Sequence, residues 1–135
     1  MLCLDLYAAS RAVIKAYGPI LNGLGLTYPQ YLVLRALWAN EPLAVKDLSA
    51  LLSLDSGTLS PLLKRLEAAG LVVRTRSKVD EREVSIALTE AGRLLEEKSQ
   101  AVNEEIGCLF GMSIDEVQRL QETLRAISKR MEGSG

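Results

Sequence analysis

The chain has 135 residues, 48% hydrophobic but only 4% aromatic, enough for one domain built on leucine, alanine and valine helices. Sixteen basic and seventeen acidic side chains leave a net charge of −1, so any attraction to a polyanion has to come from local clustering. With no histidine and no paired C-x-x-C, the usual ligands of zinc and haem are missing, and neither a metal nor a cofactor is expected.

A first, largely apolar helix is predicted from roughly Leu4 to Leu21, with Cys3 at its start. A cysteine is most often a small buried hydrophobe, but a helix N-terminus favours the thiolate, and both readings stand for Cys3. No apolar run has transmembrane length and none reads as a signal peptide. The expected setting is therefore the cytoplasm, without a membrane partner, where thiols stay reduced until challenged. Thr27 caps a second helix reaching about Ala39, with Pro29 in its first turn. Tyr7, Tyr17, Tyr28 and Tyr31 all fall in this part, either as amphipathic packing or as a group of phenols able to hydrogen-bond a sulfur species.

The segment from Val45 to Gly92 reads as a surface for duplex DNA. A short helix (Val45 to Leu52) shows Val45, Leu48, Leu51 and Leu52 as an apolar face, and Ser53-Leu54 makes a turn. A second helix opens on Asp55 and Ser56, buries Leu59, Leu62, Leu63 and Leu66, and places Pro61 near its first turn. Its other face offers Ser56, Thr58, Ser60, Lys64 and Arg65, groups that bond phosphates and base edges. Gly70 suits a left-handed stop, and a β-hairpin follows, Leu71 to Arg76 and Glu83 to Leu88, with Arg74, Arg76, Lys78, Asp80 and Arg82 on or near its tip. Between Ser56 and Arg82 six cations face three carboxylates. A charge run alone is usually a solvated face; joined to helix, turn, helix and hairpin it reads as a winged helix-turn-helix.

Thr89 begins a long helix to about Phe110, which Gly111 ends. Ser113-Ile114-Asp115-Glu116 is a capping box opening a last helix with Ile114, Val117, Leu120, Leu124, Ile127 and Met131 as its apolar stripe, and Gly133-Ser134-Gly135 reads as an unstructured end. The expected fold is mainly α with a small β-hairpin wing, one domain over 1–135. Its DNA-binding winged helix covers about 43–89, and helices at about 2–22 and 89–132 carry more apolar surface than one winged helix buries. A homodimer is the expected sink for that surface.

Asp80-Glu81-Arg82, five residues, then Leu88-Thr89-Glu90-Ala91-Gly92 closely resembles the wing signature of MarR-type bacterial transcriptional regulators. The opening from Leu2 to Arg11, Tyr17, the run Leu26-Thr27-Tyr28-Pro29-Gln30-Tyr31 and Asp55-Ser56-Gly57-Thr58-Leu59 resemble its organic hydroperoxide sensing branch, the OhrR-like repressors. The resemblance covers nearly the full chain. It implies that Asp80 braces the wing, that Arg82 enters a minor groove, and that Tyr7, Tyr17 and Tyr28 support the reactive thiol, the last two from the opposite subunit.

The resemblance further implies a non-enzymatic, dimeric repressor on an inverted-repeat operator, with Cys3 sensing organic hydroperoxide and Cys108 resolving it across the dimer. For Cys108, a core cysteine beside Phe110 is the alternative. A repressor released by a phenolic or apolar ligand in the dimer cleft, without thiol chemistry, is the rival within the fold. A thiol peroxidase fits less well, because the strand-helix alternation of thioredoxin-like enzymes is missing.

Overall fold

The computed structural model describes residues 1–77 and 82–133. Its helices are α1 (Leu2–Asn22), α2 (Tyr28–Ala39), α3 (Val45–Leu52), α4 (Ser56–Ala68), α5 (Glu90–Phe110) and α6 (Ile114–Gly133). Its strands are β1 (Leu43–Ala44), β2 (Val72–Arg76) and β3 (Val84–Leu88). The chain falls into two compact units, Met1–Val102 and Asn103–Gly135.

The first unit is a winged helix-turn-helix. Thr27 and Gln30 form a reciprocal capping box at the start of α2, each side chain meeting the other's backbone amide. Asp55 caps α4 by accepting the Thr58 amide at 2.7 Å. Leu59, Leu62, Leu63 and Leu66 of α4 are all buried, each contributing roughly 2 kcal/mol of apolar burial as an upper estimate. They join Val33, Leu34 and Leu37 of α2, Leu48 of α3 and Val72, Ile86 and Leu88 of the sheet in one core. Gly70 takes the expected left-handed conformation, φ 76°, where the chain leaves α4 for β2.

Several boundaries differ from the sequence reading. The wing belongs to a three-stranded antiparallel sheet in the order β1-β3-β2, because Leu43 and Ala44 pair with Ile86 and Ser85. Two residues show no alternation, so β1 has no periodic signature. Leu51 is 65% exposed, off the buried face that Leu48 defines. Pro61 is the sixth residue of α4 rather than a first-turn residue, so the helix forgoes the bond its amide would make to the Gly57 carbonyl. The first helix starts at Leu2, placing Cys3 inside it, and the last runs through Gly133.

The junction of the wing with α5 is tightly built. Thr89 donates its amide to the Leu71 carbonyl and its hydroxyl to the Gly70 carbonyl, and it accepts the Gly92 amide. The Trp38 indole donates to the Gly92 carbonyl at 2.9 Å. Glu41 accepts from the Leu88 amide with one carboxylate oxygen and from Arg93 Nε and Nη2 with the other. These bonds draw the Glu41 carboxyl below its ordinary range, the Arg93 bond first, the Leu88 amide in support and burial opposing.

Candidate nucleic-acid interface and thiol sites

Two polar stripes of α4 flank its leucine face. Ser56, Ser60 and Lys64 lie four residues apart on one, and Thr58 and Arg65, seven apart, on the other. Ser60 is half-buried and the rest are exposed. The Asp55 carboxyl at the head of this helix is held below its usual range, first by the Thr58 amide and then by the Thr58 hydroxyl.

Ser56 and Ser60 line an open groove of about 580 Å3 together with Arg74 and Arg82 from the wing. Hydroxyls on a helix beside guanidinium groups on a hairpin form a surface that matches a phosphate backbone next to base edges. Arg76 lies on a separate depression with Pro42, Thr75 and Ser77. Lys78 and Asp80 lie outside the described residues, so the aspartate brace of the wing is not part of this geometry.

The same groove contains side chains that the sequence reading passed over. Lys46 and Ser49 come from α3, and Glu83 stands just before β3. Lys46 Nζ lies 3.1 Å from Glu83 Oε1, and Arg74 Nε lies 3.9 Å from Glu67 Oε2. Thirty-seven positions separate Lys46 from Glu83 in the chain, so only the fold reveals the pair.

Both cysteines are free thiols and both are exposed. Neither fills a core in the protomer, which removes the buried-cysteine reading of Cys108 there. Cys3, Tyr7 and Arg11 follow at four-residue spacing along one stripe of α1. Arg11 Nη1 donates to the Tyr7 hydroxyl at 3.4 Å and its guanidinium lies 5.6 Å from the ring centroid.

Tyr17 and Tyr28 belong to a different cluster, packed between α1 and α2. The Tyr17 ring is 5.1 Å from that of Tyr28 and 5.3 Å from that of Tyr31, which in turn meets Trp38 edge-on at 6.2 Å. Tyr31 is 1% exposed and its hydroxyl accepts from Arg35 Nη1 at 3.1 Å. Burial pushes the Tyr17 phenol up to about 12, helped by Tyr31 and Tyr28 and opposed by Arg35. Tyr28 is also raised, by burial first and then by Tyr31. Fourteen residues of helix separate Cys3 from Tyr17, about 21 Å at the rise of an α-helix. Within one protomer the two tyrosines therefore cannot reach Cys3. Tyr31 was read in the sequence only as one phenol of a group, and Arg35, which bonds it from one turn further along α2, was not singled out.

Among the described residues no group of histidine, cysteine, aspartate or glutamate is placed to hold a metal ion, and no helix is long and apolar enough to cross a membrane.

Residues 15–99 match the family model described as transcriptional regulator SarA/Rot. The chain is 49% identical over 126 residues to the HTH-type transcriptional regulator TtmR of Methylorubrum extorquens, covering 93% of itself but 65% of that protein's length. It is also 49% identical over 123 residues to the organic hydroperoxide resistance transcriptional regulator of Bacillus subtilis, covering 91% of itself and 84% of the relative. Among solved structures, AbfR of Staphylococcus epidermidis superposes with a TM-score of 0.85 at 34% identity, over 98% of this chain and 91% of that one. Reduced AbfR bound to DNA gives 0.78 at 37% identity (96% and 91% covered), and the disulfide-formed protein 0.68 at 36% (93% and 88%). With a winged helix-turn-helix in place and identity near one half over nine-tenths of its length, the chain belongs to the MarR/SarA-type transcriptional regulators, among their OhrR-like members.

Proposed function

We propose that the chain is a homodimeric repressor that binds an inverted-repeat operator with Cys3 reduced and releases it when an organic hydroperoxide oxidises that thiol. The Cys3 thiolate attacks the peroxide oxygen, giving a sulfenic acid and the alcohol. Cys108 of the partner subunit then attacks the sulfenic sulfur, forming an intersubunit disulfide and releasing water. A bond between subunits shifts the two winged modules, which have to meet both half-sites together.

The observation that carries this reading is where the two exposed thiols lie. Each sits on a helix segment whose apolar side chains are left uncovered in the protomer: Leu2, Leu4 and Leu6 around Cys3, and Leu109 and Phe110 beside Cys108. Such faces suit a twofold interface, which would hold the thiols of two copies together. The roughly 21 Å of helix between Cys3 and its own Tyr17 fits Tyr17 and Tyr28 serving the thiol of the other subunit. The Bacillus subtilis relative named for organic hydroperoxide resistance, and AbfR in reduced DNA-bound and disulfide forms, support the same chemistry.

The test combines a non-reducing gel with DNA binding, using pre-reduced protein with and without stoichiometric cumene hydroperoxide. A covalent dimer and loss of duplex binding are expected in the wild type, and neither the covalent dimer nor the release in Cys3→Ser. Peroxide-independent binding with both thiols still free would reject the sensor and favour release by a cleft ligand.

A further inference from the structure

We propose that Lys46 is an anchor for the DNA backbone and that Glu83 is its built-in competitor, a carboxylate that stands where a phosphate would and lowers affinity for duplex DNA. This rests on the DNA-binding reading above and names the residues that set its strength.

The two side chains form an ion pair at 3.1 Å while remaining 72% and 46% exposed. A pair so wet holds little of the fold together, so stability does not explain it. Lys46 is the second residue of α3, where the helix dipole disfavours a cation, and the neighbouring Asp47 is the residue that suits that end. The lysine therefore has no helical reason to be there. It does have a reason in the groove, where it lies with Ser49, Ser56, Ser60, Arg74 and Arg82.

Glu83 is the one carboxylate among the described residues lining that groove. Beside an incoming polyanion it costs affinity twice, by repelling phosphate and by occupying the Lys46 ammonium. Binding exchanges this protein carboxylate for a phosphate oxygen. The groove is thus partly self-neutralised in the free protein, which restrains sequence-independent binding and leaves more of the affinity to base contacts.

The experiment measures salt-dependent binding of the full-length protein to a mixed-sequence duplex of about 30 base pairs, because a backbone anchor acts on any sequence. At about 50 mM salt, Glu83→Gln is expected to bind roughly three- to tenfold tighter than wild type, an advantage that shrinks as salt rises. Lys46→Gln is expected to bind more weakly, with a log–log salt slope shallower by about one, and Lys46→Arg to keep the wild-type slope. In the Lys46→Gln background the gain from Glu83→Gln should diminish. Unchanged or weaker binding by Glu83→Gln, or a wild-type slope in Lys46→Gln, overturns the assignment while leaving DNA binding intact. A wild-type protein that binds no duplex even at low salt overturns the DNA-binding reading together with it.

Discussion

Gly92 shows how one missing methyl fixes a junction. A Cβ built there would lie 2.2 Å from the Leu71 carbonyl oxygen, which belongs to backbone that three neighbouring hydrogen bonds hold still. Alanine in a helix normally gains about 1 kcal/mol over glycine. Here the clash outweighs that gain, and Gly92→Ala is expected to destabilise by roughly 2–4 kcal/mol in urea unfolding. Trp38, the single tryptophan, bonds the Gly92 carbonyl and should report the same change as a shift in emission. Tyr17 gives a prediction in alkali. Its phenol stays neutral up to about 12 in the folded chain but ionises near 10.0 once unfolded. Its contribution to stability is full below pH 10 and is lost as pH rises from there through the folded value. Tyr17→Phe should flatten the alkaline fall in the urea midpoint; an identical slope in the variant would assign that fall to other groups. The individual residues of α4 were legible in the sequence because its leucines repeat at helical spacing and Asp55 announces the start. The partners of Tyr17 and Lys46 were not, since contact across elements leaves no trace in local spacing.

At the scale of elements, the wing is held at both ends. One end is the pairing of β1 with β3, and the other is the Glu41 bridge from the Leu88 amide to Arg93 at the start of α5. Because the Glu41 carboxyl is lowered in the folded chain, its contribution is present above its unfolded value of about 4.5 and is lost as pH falls through the folded one. Glu41→Gln should therefore be less stable than wild type at pH 7, with the two converging in acid. A gap that persists undiminished at low pH would show that the charge is not what matters. Capping explains why most boundaries could be read beforehand: Thr27 with Gln30 and Ser113 with Glu116 form the reciprocal pairs that their spacing predicts. Where no such signal exists, as at the two-residue β1, the sequence was silent. Arg74 and Arg76 fell in the hairpin as expected, yet Glu67, which attends Arg74, and Glu83, which pairs with Lys46, were visible only as charges.

For the molecule as a whole, the last helix leaves a long apolar stripe exposed, and the proposed dimer is tested there. No residue of α6 is buried, and Ile114, Leu120, Leu124 and Met131 are exposed between 40% and 77%. The apolar stripe was readable from its spacing; that its side chains stay exposed was not. Light scattering should give twice the chain mass, and Leu120→Glu with Leu124→Glu should shift the protein toward monomer and weaken operator binding by at least tenfold, since half-site contacts no longer act together. A variant that remains dimeric would place the interface elsewhere. The sheet order carries a last consequence, for handling rather than for recognition. With β3 in the middle, β2 is an edge strand bearing Arg74, Thr75 and Arg76 next to an exposed Val73. Charged side chains on an open edge keep strands of different molecules from pairing. Whatever their part in recognition, the wing arginines suit a guard against self-association, and replacing them with alanine to test DNA binding should strip that guard and raise aggregation.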